Sequence, residues 1–307
     1  MSKIIVSGAS GLVGSGLLPL LGDGQYEVSR LVRKQSDIDG GDMWSRRDLV
    51  PWDPVTGELD AAMLEGTEAV VHLAGENIAV GRWNNARKKK IRESRVDGTR
   101  LLCEKLAEIP TPPKVLICAS AIGYYGHRGD ESLTEESPVG EGFLPDLCRE
   151  WEEATEAAAK AGIRVIRLRI GIVLSPRGGA LKKMLVPFKM GAGGKVGDGR
   201  QYMSWISLDD LAAVIVHCIK DESISGAVNA VAPEPVTNKV FTKTLGKVLR
   251  RPTMFPLPAF AAKIIFGEMA EAMLLCSSRV VPKALADSGF EFAHPGLESA
   301  LRHQLGK

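Results

Sequence analysis

Nine residues near the start of this 307-residue chain, Val6-Ser7-Gly8-Ala9-Ser10-Gly11-Leu12-Val13-Gly14, have the types and spacing to hold a phosphate. They stand between an apolar run at residues 4–6 and a segment of helical character at 12–21. At such a strand-to-helix corner one glycine makes the tight turn, one lets the backbone approach a pyrophosphate, and one lets helix and strand pack closely. The helix N-terminus adds free N–H groups and the positive end of its dipole. The spacing is G-x-x-G-x-x-G rather than G-x-G-x-x-G, and a bare glycine triplet also fits an ordinary turn, so the inference rests on the flanking elements. Gly8, Ser10, Gly11, Leu12, Val13 and Gly14 are the candidate phosphate contacts.

The second apolar run decides which dinucleotide. A site selective for NAD ends that strand with Asp or Glu for the ribose 2′-hydroxyl, whereas a site for NADP places a cation there for the 2′-phosphate. The run ends Leu31-Val32-Arg33-Lys34, with two cations and no acid. Val32 and Arg33 therefore join the candidate contacts, and NADP is preferred over NAD. The competing reading is a solvated basic turn.

Around these residues, apolar runs at 4–6, 28–32, 69–74, 115–119 and 165–170 recur without alternation, as strands buried on both faces do. Helical stretches at 12–21, 84–109 and 146–161 lie between them. The order predicts an α/β fold with a Rossmann-type doubly wound parallel sheet. After Leu174 glycine and proline clusters become frequent. The expected division is a dinucleotide-binding domain over 1–175, with return elements near 203–232 that include a helix beginning at Asp209, and a smaller C-terminal substrate lobe over 176–307.

Composition narrows the function. Lys+Arg 39 against Asp+Glu 37 leaves a net charge of +2, too little to attract nucleic acid or an anionic membrane. The five cysteines are scattered and form no C-x-x-C pair, which argues against disulfides and zinc and for a reducing compartment. No apolar run reaches the ~18 residues of a spanning helix, and the N-terminus has no signal-peptide pattern. A cytoplasmic monomer or homodimer acting on a small molecule is expected. No H-E-x-x-H, G-x-S-x-G or P-loop is present, so no metal is expected. His72, inside an apolar strand, reads as a core residue.

Taken together, Gly8-Ala9-Ser10-Gly11-Leu12-Val13-Gly14, His72-Leu73-Ala74-Gly75-Glu76-Asn77-Ile78, Arg82-Trp83, Ser94-Arg95, Tyr124-Tyr125-Gly126, Trp151-Glu152, Arg169-Ile170-Gly171-Ile172-Val173-Leu174 and Trp205-Ile206-Ser207-Leu208-Asp209-Asp210-Leu211 resemble the extended short-chain dehydrogenase/reductases, specifically their NAD(P)-binding "epimerase family protein" group. The resemblance covers essentially the whole chain. It implies that Leu73, Ala74 and Gly75 close over the cofactor near the adenine ribose, that Arg95 faces the cofactor, and that Val173 lines its nicotinamide end. Arg95 alone also fits a surface charge.

The same family moves a hydride with a tyrosine acid or base assisted by a lysine four residues later, a spacing that puts both on one helix face. Four residues after Tyr26, Tyr124, Tyr125 and Tyr202 come Arg30, Arg128, Gly129 and Ile206, so no Tyr-x-x-x-Lys exists. Where the pair belongs the chain reads Phe143-Leu144-Pro145-Asp146-Leu147-Cys148, and the supporting hydroxyl position falls on Ala121 with Ser120 beside it. Tyr124 and Tyr125, after the strand at 115–119, are the remaining candidate acids. Each would need a cation, from Arg128, Arg82 or the nicotinamide. Glu76-Asn77 and Trp83 are candidate cleft residues, with Trp205 closing from the far side; packing is the alternative for all of these aromatics. The expected function is an NADP(H)-dependent oxidoreductase or epimerase on a carbonyl or sugar-like substrate. The alternative is a cofactor-sensing regulator that has lost catalysis.

Overall fold

The computed structural model describes residues 1–33 and 48–307, which leaves Lys34 outside the described residues. The chain opens with β1 (Ser2–Ser7), α1 (Leu12–Leu21), β2 (Tyr26–Val32), β3 (Leu49–Asp53), β4 (Glu58–Leu59), β5 (Thr67–His72), α2 (Asn85–Glu108) and β6 (Val115–Ala121). It continues through β7 (Ser132–Leu133), α3 (Phe143–Glu153), α4 (Glu156–Lys160), β8 (Arg164–Ile170), β9 (Ile172–Leu174), α5 (Gly179–Lys189), β10 (Tyr202–Met203), β11 (Trp205–Ser207), α6 (Leu208–Lys220) and β12 (Gly226–Ala230). It closes with β13 (Val236–Thr237), α7 (Asn238–Leu249), α8 (Ala259–Phe266), β14 (Arg279–Val280), α9 (Lys283–Asp287) and α10 (Leu297–Leu305).

Eight strands form the main sheet in the order β12-β8-β6-β5-β1-β2-β3-β4. All neighbours are parallel except β3 and β4. The apolar runs fail to alternate because each face is covered. Ile5, Val70, Leu116 and Cys118 point into one cluster with Ile91, Leu102 and Leu106 of α2 and Leu147 and Trp151 of α3. Ile4, Val6, Val71 and Ile117 point into the other with Leu17 and Leu21 of α1 and Leu211, Val214 and Ile215 of α6. Each such Leu or Ile, removed from water, contributes about 1.5–3 kcal/mol. A third cluster, with Leu181, Phe188, Trp205, Phe241, Leu245 and Leu301, lies under the later elements.

Two expectations about elements shift. The helix foreseen at 146–161 begins earlier, behind Gly142 with its φ of 108°, and is interrupted after Glu153. There the Thr155 hydroxyl donates to the Glu152 carbonyl at 2.6 Å, one of the local bonds by which Ser and Thr compete with helix continuation. The strand foreseen at 69–74 stops at His72, because the amides of Leu73 and Ala74 turn to the Ser7 hydroxyl.

Candidate functional site

The loop between β1 and α1 is closed by a bond from Gly11 N–H to the Gly8 carbonyl at 2.9 Å. Gly8 has a φ of 67°, and a Cβ there would stand 2.7 Å from the Leu73 carbonyl carbon and 2.8 Å from the Ala74 nitrogen. A Cβ on Gly14 would stand 2.5 Å from the Gly8 carbonyl oxygen. The loop, the helix and the segment after β5 therefore fit together only without these side chains. Gly11 caps α1 with no side-chain bond, and its first turn carries no acid. The amides of Leu12 and Val13 are thus left for an outside acceptor. Ser10 and Gly11 are exposed, and Leu12 and Val13 half-buried. The cradle fits a dinucleotide pyrophosphate.

Ser7 ties this loop to the next strand. Its hydroxyl accepts from the amides of Leu73 at 3.1 Å and Ala74 at 3.3 Å and lies 2.7 Å from His72 Nδ1. With both lone pairs used, that proton goes to Nδ1, so the network assigns His72 the neutral form protonated on Nε2. His72 is fully buried, stands edge-on to Trp52 at 5.8 Å, and leaves Nε2 without a hydrogen-bond partner. Burial lowers its pKa to about 4. The unfolded chain, with an ordinary histidine, then binds more protons between pH 4 and 6.5. Stability from this source is complete above pH 6.5 and falls by roughly 3 kcal/mol as pH drops to 4. Urea midpoints at pH 7 and pH 4.5 are expected to draw together in a His72→Asn protein relative to the unaltered chain. An unchanged gap would show that other groups carry it.

Val32 is buried at the end of β2, and Arg33 directly after it is exposed. Leu73 and Ala74 are half-buried and Gly75 exposed beyond β5. Beneath Gly75 lies Arg95, close enough that a Cβ on Gly75 would meet its guanidinium carbon at 3.3 Å. Arg95 Nη1 donates to the carbonyls of Glu76 at 3.0 Å and Ile91 at 3.2 Å, and the guanidinium stands 5.1 Å from the Trp151 ring centre. Burial lowers its pKa to about 10, so it stays charged near neutrality. No carboxylate lies in ion-pair range of it among the described residues. Val173 in β9 is half-buried and pairs with Ile206.

Beyond β6 the structure separates the two tyrosines. Tyr125 is fully buried; its hydroxyl donates to Asn229 Oδ1 at 2.6 Å and accepts from Arg169 Nη1 at 2.9 Å. Burial, opposed by Arg169, pushes its pKa up to about 12. As a candidate acid Tyr125 is corrected to a core residue, sealed from any ligand. Tyr124 is half-buried, its hydroxyl forms no hydrogen bond among the described residues, and the Arg169 guanidinium lies 3.5 Å from its ring centre. Neither cation proposed from sequence is free to serve. Arg128 is paired with Glu131 at 2.7 Å, and Arg82 donates to the carbonyls of Ile264 and Ile265.

Arg169, 4% exposed, is held in a two-pronged bond by Glu152, Nε to Oε1 at 2.8 Å and Nη2 to Oε2 at 2.9 Å. Ser120 donates to the same Glu152 Oε1 at 2.7 Å, which occupies the hydroxyl considered as a helper. In the stretch ahead of Trp151-Glu152, Leu144 and Cys148 face Gly123, and burial pushes the Cys148 thiol up to about 12. Trp205 is also corrected: it is fully buried in the third cluster, its indole donating to the Glu234 carbonyl at 3.2 Å. Trp83 is nearly buried beside Phe143. Sequence reading missed the Ser120–Glu152–Arg169–Tyr125–Asn229 chain. Its one signal was Arg169 within the apolar run at 165–170, while Glu152 stands between Glu150 and Glu153. It also missed the meeting of Asp209, His294 and His303, whose ligand atoms lie within 4.8 Å of one another at the surface.

The glycine corner, Arg33, Leu73 to Gly75 and the turn carrying Tyr124 follow the C-terminal ends of the parallel strands β1, β2, β5 and β6, the edge where ligands of such sheets bind. The profile of the NAD dependent epimerase/dehydratase family matches residues 4–230. The chain belongs to that family. A second profile, a domain of unknown function (DUF1731), matches residues 257–304 of this family member. The chain is 41% identical to epimerase family protein Mb2239 of Mycobacterium bovis over 298 residues, covering 97% of this chain and 96% of that one. It is 33% identical to human epimerase family protein SDR39U1 over 303 residues, covering 98% of each. The crystal structure of the human protein with NADPH superposes with a TM-score of 0.89 at 32% identity, covering 99% of both chains. A nucleoside-diphosphate sugar epimerase from Corynebacterium glutamicum superposes with a TM-score of 0.80 at 40% identity over 99% of this chain and 58% of that one. The likeness makes the chain an extended short-chain dehydrogenase/reductase, and its sequence holds no Tyr-x-x-x-Lys.

Proposed function

We propose that this chain binds NADP(H) and, through it, reduces or epimerises a carbonyl or sugar-like compound. The observation that carries the reading is the side-chain-free cradle of Gly8, Gly11 and Gly14 under an uncapped helix, with Arg33 at the neighbouring strand tip. Ser10, Leu12 and Val13 would meet the pyrophosphate, Val32 and Arg33 the adenosine ribose and its phosphate, and Leu73, Ala74 and Gly75 the ribose face. Arg95 would give its open side to the cofactor, and Val173 would line the nicotinamide end. The bound cofactor supplies the hydride. Tyr124 would donate the proton to the carbonyl oxygen, its ring held in place by the Arg169 guanidinium that Glu152 anchors.

We assign residues 1–175, with the return elements near 203–232, to the cofactor and residues 176–307 to the substrate. With five free thiols and no described helix long and apolar enough to cross a membrane, a cytoplasmic monomer or homodimer is the reading adopted.

In an NADPH-oxidation assay over a panel of carbonyl compounds, Tyr124→Phe is expected to lower turnover by about 10²–10⁴-fold. NADPH binding should be unchanged. Turnover that survives the change excludes the tyrosine as acid. A second reading, a cofactor sensor without catalysis, is favoured by the lack of any Tyr-x-x-x-Lys in the sequence. Tight NADPH binding without oxidation on any carbonyl is the result that selects it.

The cofactor assignment has its own test. An arginine–phosphate contact contributes about 1.5–3 kcal/mol, so Arg33→Asp should weaken NADPH by roughly ten- to a hundredfold and leave NADH little changed. Calorimetric titration of both coenzymes reads the ratio, and a ratio that does not move rejects Arg33 as the discriminator.

A further inference from the structure

We propose that the surface formed by the end of α5, residues 250–257 and α8 docks on an anionic lipid bilayer. The net charge of +2 hides a segregation of charge along the chain. Residues 171–197 and 235–267 hold eleven Lys or Arg and no Asp or Glu, so the remaining residues together carry a net charge of −9. The fold brings the two acid-free stretches side by side. Arg251 Nε donates to the Lys189 carbonyl at 3.0 Å, and a Cβ on Gly191 would meet Pro252 at 3.8 Å. The amides of Phe255 and Leu257 donate to the carbonyls of Gly193 at 3.4 Å and Lys195 at 2.8 Å. Beneath them Leu181, Leu185 and Phe188 of α5 share a core with Phe241, Leu245 and Val248 of α7. On the outer side of α7, Lys239, Lys243 and Lys247 stand at i, i+4 and i+8 along one exposed stripe. Helices α5 and α8 also hold the same loop after β5: Lys183 donates to the Ala79 carbonyl at 2.7 Å, and Arg82 to the carbonyls of Ile264 and Ile265.

Hydrocarbon stands among these cations. Met190 is 78% exposed, Met254 75% and Phe255 61%, beside exposed Lys189, Arg250 and Arg251. On α8, Phe260 and Ile264 are exposed at i and i+4, on the side away from buried Ala262. Lys189, Arg250 and Arg251 form no ion pair among the described residues. An anionic bilayer satisfies both kinds of group at once. Its headgroups attract the cations, and its boundary with the acyl chains takes up the apolar side chains. A second copy fits less well, because a symmetric pair would set one cationic face against its twin. A soluble polyanion would use the cations and leave Met190, Met254 and Ile264 in water.

The test is flotation of the full chain with vesicles of phosphatidylcholine alone and of phosphatidylcholine mixed with phosphatidylserine. The chain should float with the mixed vesicles and not with the neutral ones. Raising salt from about 0.1 M to about 1 M, which shortens the screening length from roughly 10 Å to 3 Å, should release it. Lys189→Ser together with Arg250→Ser should weaken binding about fivefold per cation removed. Met254→Ser together with Phe255→Ser keeps every charge and should still weaken it at least about tenfold. Lys220→Ser, an exposed cation at the far end of α6, should leave binding unchanged. Equal flotation with both vesicles, flotation with neither, or equal losses in Lys220→Ser and the two paired variants would each overturn the proposal. So would two other results. One is a dimer in light scattering that Met254→Ser with Phe255→Ser dissolves while vesicles bind nothing, which gives the face to a second copy. The other is binding to polyglutamate as tight as to mixed vesicles and indifferent to that apolar pair, which gives it to a soluble polyanion.

Discussion

A Gly14→Ala protein is expected to bind NADPH at least about a hundredfold more weakly than the unaltered chain, roughly 3 kcal/mol by the affinity scale. The added methyl has nowhere to go. It would stand 2.5 Å from the Gly8 carbonyl oxygen and 2.7 Å from Ala9 Cα, both backbone atoms. Relief requires α1 to withdraw from the turn, which carries the Leu12 and Val13 amides away from the anion they would meet. The fold itself should survive, because α1 remains anchored by Leu17 and Leu21. Thermal melts with and without NADPH separate the two effects: the cofactor-induced rise should vanish while the melt stays cooperative. An undiminished rise would remove the loop from the cofactor site.

The second large effect is on stability. Arg169→Met leaves Glu152 buried with its charge uncompensated, and breaking a buried pair from one side costs about 3–5 kcal/mol. It also strips Tyr125 of the donor to its hydroxyl. Denaturant unfolding should report the loss, and Glu152→Leu added to Arg169→Met should recover part of it, since the second change removes the stranded carboxylate. A single variant within 1 kcal/mol of the parent would show that water reaches Glu152. Because Arg169 also lies against the Tyr124 ring, activity is expected to fall further than stability explains.

The parallel sheet was legible because burial on both faces leaves unbroken apolar runs such as Val115-Leu116-Ile117-Cys118. The glycine corner was legible because its spacing is set by backbone contact. Tyr124 and Tyr125 were not distinguishable, since neighbours in a 3-10 turn point to different sides and only the packed structure says that Asn229 waits behind the second. The pairing of Glu152 with Arg169 was hidden for another reason. In a linear sequence two charges look solvated, and their partners arrive from α3 and β8, 17 residues apart. The break after Glu153 depended on one hydroxyl, Thr155, choosing a local carbonyl.

The position of β12 bears on how the protein is made. This strand completes the sheet beside β8, yet it comes after β9, α5, β10, β11 and α6. While the nascent chain emerges, β8 has an open flank, and the sheet face bearing Ile166 and Leu168 lacks α6. At ordinary translation speeds that interval lasts several seconds. A ribosome stalled within it would present an adhesive, half-covered sheet, so chaperone demand should peak before residue 230 is released.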